Sequence, residues 1–168
     1  MNESAVKDYV LPPALIGRAD LARLLREIES IDNELGAQKV RNRGTDTNAS
    51  YHMPTMSRSL SDFIDLNEID LSDDQGRMVL SERLRAVKDK APVVHMTFAV
   101  DADPDFLQKL VGWIRTEVHP QALISVGLQP ALIGGVYIRT PNHVHDFSLK
   151  ALMQGKRNII VNEFEGLL

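Results

Sequence analysis

Five histidines, a few serines and a run of alternating aspartates are the residues whose types could support chemistry. The histidines are His52, His95, His119, His143 and His145. His143 and His145 are two apart, so in a strand both imidazoles face the same side. Two imidazoles on one face supply half of a zinc site. No third ligand stands at a metal-like spacing, and Asp146 would point away from both. No metal and no cofactor are therefore expected. Ser125 and Ser148 lack the G-x-S-x-G setting of a nucleophile elbow. Asp101, Asp103 and Asp105 alternate, but Asp103 before Pro104 reads as a helix cap and the other two as loop residues. There is no P-loop and no G-x-G-x-x-G. Cysteine is absent, which removes thiolate nucleophiles, disulfides and zinc–thiolate sites. No nucleophile, base and oxyanion donor assemble. The expectation is a chain with no catalytic residue.

Charge and composition narrow the function further. The 168 residues carry a net charge of -4, which disfavours non-specific binding to nucleic-acid phosphate. Hydrophobic residues make up 43% and charged residues 25%, in the range of ordinary soluble domains. No apolar run approaches the roughly 18 residues of a membrane span, so no direct membrane insertion is expected. The opening MNESAVKDYVLPP has no basic-then-apolar pattern, and no signal peptide is expected from it. The reading is an intracellular protein, which a partner could still hold at a membrane.

The elements that must position these residues fall into two parts, 1–90 and 91–168. In the first, Leu21, Leu24, Leu25, Ile28, Ile31 and Leu35 recur at spacings of three and four, which predicts a helix over 14–36 with Gly36 as its stop. Residues 36–58 read as a flexible loop holding the only basic cluster, Lys39, Arg41, Arg43 and Arg58. A short helix over 59–69 turns Leu60, Phe63, Ile64 and Leu66 inward. Ser72 and Gln75 then form a capping box for a helix to Lys90, with Met78, Val79, Leu84 and Val87 inward. At Pro92 the period changes to two. Val94, Met96, Phe98 and Val100 alternate with Val93, His95, Thr97 and Ala99, which predicts a strand. Asp103-Pro104 opens a helix whose stripe is Phe106, Leu107, Leu110, Val111, Ile114 and Val118, with Trp113 beside it. Strands follow over 123–128, 136–139 and 144–147, and a last helix begins near Ser148. Its apolar line is Leu149, Leu152 and Met153, extended by Ile159, Ile160, Phe164 and Leu167. The predicted class is α+β: a helical part, then a small mixed sheet in the order β-α-β-β-β-α with helices packed on it.

Leu132-Ile133-Gly134-Gly135 is the most informative peptide. Paired glycines before an alternating strand permit positive φ or close backbone approach, and a bulge or tight corner accounts for them. Read together, Pro130, Leu132, Ile133, Gly134, Gly135, Val136, Ile138, Arg139, Asp146 and Ser148 suggest a family. In this order, residues 92–153 resemble the C-terminal domain of the delta subunit of F-type ATP synthases, the oligomycin-sensitivity-conferring protein family. Gln129 stands where that family often has Asp, and Pro141 occupies the hairpin turn, where a Gly or polar residue is usual. The family's N-terminal helical bundle is larger than the three helices read here. The resemblance implies a non-catalytic peripheral-stalk subunit that links the catalytic head to the b-subunit stalk during proton-driven ATP synthesis. Its implied partners are the alpha and b subunits, and its implied place is the cytoplasmic side of the membrane, held through them.

Three other readings compete with this one. An adaptor unrelated to ATP synthase needs the same apolar grooves. A KH-like nucleic-acid module finds a loose echo in Ile133-Gly134-Gly135, but the second glycine of a GXXG loop and its cations are missing. A small enzyme would require a pocket joining titratable groups such as His95, His143 and His145.

Overall fold

The computed structural model describes residues 9–42, 52–140 and 142–156. Arg43, Pro141 and the apolar positions Ile159, Ile160, Phe164 and Leu167 lie outside them.

The helical part contains α1 (Arg18–Asn42), α2 (Arg58–Asn67) and α3 (Asp74–Lys90). The buried residues of α1 are the six apolar positions of the predicted stripe. The helix differs from expectation at both ends. At the start, Pro12 to Leu15 form a turn instead, closed by the Leu15 amide on the Pro12 carbonyl at 3.0 Å. The Asp20 carboxylate accepts from the amides of Ile16 and Gly17 at 3.1 and 3.0 Å, fixing the entry to the helix. At the other end α1 runs through Gly36. A side chain there would meet nothing within 4 Å, and the glycine costs only about 1 kcal/mol against alanine. The extra turn is tied down from outside, because Lys39 pairs with Asp74 of α3. The Gln38 amide also exchanges hydrogen bonds with the His52 backbone at 3.0 and 3.2 Å. Residues 36–42 of the expected basic loop are therefore helix, and Lys39 is an ion-pair partner within it.

Two further differences concern caps and faces. Ser72 does not cap α3, because its amide and hydroxyl are both donated to Asp70. Asp73 takes the cap, accepting from the Gly76 amide at 2.8 Å. This shifts the inward face to Arg77, Leu80, Leu84 and Val87, leaving Met78 exposed. In α2, Leu60 and Phe63 are buried while Leu66 faces out.

Arg77 is the charged residue that the apolar pattern hides. Only 2% of it is exposed, and it donates to the Leu71 carbonyl at 2.6 Å, to Asp32 at 2.7 Å and to Asp74. Burial opposes its charge, but the two carboxylates outweigh burial and raise its pKa. Asp74 is held below the usual carboxylate range by Lys39 and then Arg77. A depressed carboxyl contributes stability that is present above its unfolded value near about 4 and is lost as pH falls through its folded value. Replacing Arg77 by Met should cost about 2 kcal/mol near neutrality, since the carboxylates it leaves can return to water. Urea melts at pH 7 and pH 3 should show that cost shrinking in acid.

The second part is a four-stranded mixed sheet. Strand β1 (Val93–Phe98) is followed by α4 (Pro104–Glu117), β2 (Leu123–Leu128), β3 (Gly135–Arg139), β4 (Val144–Ser148) and α5 (Leu149–Gly155). β1 pairs parallel with β2 and antiparallel with β3, and β3 pairs antiparallel with β4. The parallel pair needs a crossover, and α4 supplies it. Asp103 caps α4 by accepting from the Asp105 and Phe106 amides at 2.9 and 3.1 Å. Val111 and Ile114 of α4 close one face of the sheet over Met96, Ile124 and Ala122. Val100, expected in the strand, lies beyond it and is exposed, as is Trp113.

The two parts share packing. Leu123 of β2 and Ala91 belong to the core of the helical part, with Val93 packed against it. The Ile124 amide donates to the Ile16 carbonyl at 2.9 Å, so the lead segment, residues 9–17 before α1, covers the start of the edge strand β2. Arg115 of α4 locks this join from behind, donating to the carbonyls of Leu11, Pro12, Leu15 and Ala122. No helix among the described residues is long and apolar enough to cross a membrane.

Candidate docking surface

The ten residues singled out from the sequence lie along the β3–β4 hairpin and the turn before it, most of them at the corner where Gly135 meets Ser148. Pro130 and Leu132 lie in a single 3-10 turn that leaves β2, with Leu132 buried. Ile133 and Gly134 lead into β3, which carries Gly135, Val136, Ile138 and Arg139. Asp146 and Ser148 stand opposite on β4, with Tyr137 paired to Asp146 and Gly135 to Ser148. The corner is closed by short hydrogen bonds. The Gly134 carbonyl accepts from the Leu149 amide at 2.9 Å. The buried Ser148 hydroxyl accepts from the Ala151 amide at 3.1 Å and so caps α5. Asp146 accepts from the Ser148 amide at 2.9 Å, and its contacts to Ser148, side chain first, hold its carboxyl below the usual range.

Within this corner the two glycines differ. Gly135 has φ +83° and sits against the Phe147 carbonyl, whereas a Cβ on Gly134 would meet Leu149 at an ordinary 3.7 Å. The unusual backbone before them belongs to Ile133, with φ 67° and ψ -39°. A β-branched residue at positive φ is strained, and this one holds its side chain 64% exposed. The sequence carried no signal of it, because the motif directs attention to the glycines. Replacing Ile133 by Gly should leave thermal stability equal or raise it by about 0.5 kcal/mol, although a large apolar side chain is lost. Differential scanning calorimetry would check this.

The corner borders an apolar shelf. The strand register aligns Leu128, Phe98, Val136 and Phe147 in one row across the face that α4 only partly covers. Phe106 of α4 meets Phe98 edge to face, with centroids 6.1 Å apart. Leu128 and Phe147 are more than half exposed. Beside Phe147, α5 buries none of its residues and leaves Leu149, Leu152 and Met153 open. Contiguous exposed apolar surface of this kind marks interaction sites.

The histidines are separated by the sheet. His143 and His145 share the shelf side, where His145 stacks between His143 and Phe147 at centroid distances of 6.2 and 5.8 Å. His95 pairs with Arg139 in register and lies on the opposite face. Among the described residues no three potential ligands gather around a metal position. The stacked pair continues the flat ring surface of Phe147. No protein-family model matches the chain, and no curated protein matches it in sequence.

Proposed function

We propose that the chain is a non-catalytic connector of the ATP synthase delta type, a peripheral-stalk subunit joining the alpha subunits of the catalytic head to the b-subunit stalk. The observation that carries this reading is the apolar shelf of Phe98, Phe106, Phe147, Leu149 and Leu152, built on the hairpin whose residues resemble that family. An amphipathic helix places apolar residues at i, i+3, i+4 and i+7 and needs such a strip to bury them. Ile133, held outward at the end of the strip, suits an anchor for the helix. The helical part, with its α1–α3 ion pairs, is the half that would meet the alpha subunits. Attachment to the membrane would then come through these partners, on the cytoplasmic side.

The reading is tested by titrating the full chain with the C-terminal segment of the b subunit from the same source, followed by fluorescence anisotropy. Saturable binding is expected for the wild type. Phe147→Asp should weaken it at least about tenfold, the loss of one central apolar anchor. Binding that survives both Phe147→Asp and Leu152→Asp would remove the shelf from the account. Absence of binding by a folded wild-type chain would favour an adaptor for a different partner.

A further inference from the structure

We propose that the opposite, open face of the sheet is a binding site for a small molecule bearing a phosphate group. The pairing register sets Ser125, His95 and Arg139 side by side in one row, with Thr97 and Tyr137 in the next. Side chains paired in this way share a face and stand about 5 Å apart. The helical part closes one end with Gly17 and Arg18 at the start of α1 and Asp89 and Lys90 at the end of α3. Together these residues bound a cleft of about 1030 Å³.

The charged side chains of the lining are mostly cations. Arg18, Lys90 and Arg139 bring three cations against the one carboxylate of Asp89. None of the three forms an ion pair with another described residue. The chain as a whole carries -4, so this excess of cation is local to the cleft. A phosphate offers acceptor oxygens in several directions and matches guanidinium forks, the neighbouring hydroxyls and the His95 ring together. Inorganic phosphate alone would leave most of the volume empty. The space beside Ala91, Pro92 and Val93 fits the organic part of a phosphoester. This site lies on the face away from the apolar shelf and does not depend on the connector reading.

The test is an NMR titration of the full ¹⁵N-labelled chain with inorganic phosphate and with ribose 5-phosphate at constant ionic strength. Saturable shifts are expected at His95, Thr97, Ser125 and Arg139, with the sugar phosphate binding more tightly. Arg139→Gln should raise the Kd about tenfold or more, one charge-assisted pair. Tyr137→Phe, which keeps the ring and its packing, should raise it by a smaller factor. Arg26→Gln, at an exposed site elsewhere on α1, should leave it unchanged. Shifts that do not saturate, or an equal loss in the Arg26 and Arg139 variants, would reduce the effect to general surface charge and overturn the proposal. Tighter binding of inorganic phosphate than of the sugar phosphate would overturn the assignment of an organic ligand.

Discussion

Replacing Gly135 by alanine is expected to destabilise the sheet by about 3 kcal/mol or more. Two effects add. The backbone sits at φ +83°, where an alanine is strained, and the new Cβ would lie 2.2 Å from the Phe147 carbonyl oxygen. Real Cβ atoms do not approach a backbone oxygen so closely, so the β3–β4 pairing would have to open. That pairing also places Ser148 to cap α5, so the cost should spread to the helix. Gly134→Ala provides the contrast, since its nearest neighbours are Leu149 side-chain atoms at 3.7 Å and beyond. It should change stability by less than about 1 kcal/mol. Urea unfolding followed by circular dichroism would separate the two. Similar losses at both glycines would contradict the corner geometry.

Replacing Arg115 by Met is expected to cost about 3 kcal/mol and to release the lead segment from the sheet. The guanidinium donates to Leu11 at 3.0 Å, Pro12 at 2.9 Å and Ala122 at 3.1 Å, and also to Leu15. Met fills much of the same volume but leaves these part-buried carbonyls without their donor. Lys at this position should recover only part of the loss, because one ammonium cannot span the same fork. Burial pushes the Arg115 pKa down to about 10. A base whose folded pKa is lowered binds fewer protons folded than unfolded only above that value, so stability would rise with pH from about 10 upward. Below it the group is charged in both states, and the Met variant should show the same deficit at pH 6 and pH 8. Hydrogen exchange should report faster opening at Leu15, whose amide closes the turn of the lead segment on Pro12, and at Ile124, whose amide joins the edge strand to Ile16.

The parts of this fold that were legible in the sequence are those governed by short-range periodicity. The stripe from Leu21 to Leu35, the alternation of β1 and the Asp103-Pro104 helix start each state their local structure through spacing alone. What stayed hidden depended on contacts far along the chain. α1 continues past Gly36 because Asp74 and His52 hold its last turn, and neither is near it in sequence. Ser72 lost the cap of α3 because Asp70, two residues back, competes for its donors. Arg77 was passed over for Met78 and Val79 because an apolar pattern cannot register a buried cation whose carboxylates come from another helix and from its own first turn. The strand order and the separation of His95 from His143 and His145 required the long pairing between β1 and β3. Of the candidate site, the ordered motif from Pro130 to Ser148 was readable, and most of it gathers where Gly135 meets Ser148. The strain at Ile133 and the row of Leu128, Phe98, Val136 and Phe147 arise only from register. The polar cleft draws on both halves of the chain, and no local pattern announces it.

The central claim is best tested by tagging the full chain in its own source and capturing it from gently solubilised membranes, with the bound chains identified by mass spectrometry. The connector reading predicts recovery of ATP synthase alpha, beta and b subunits by the wild type, and loss of the b subunit first when Phe147 is changed to Asp. A folded, intact bait that returns none of these subunits would contradict it.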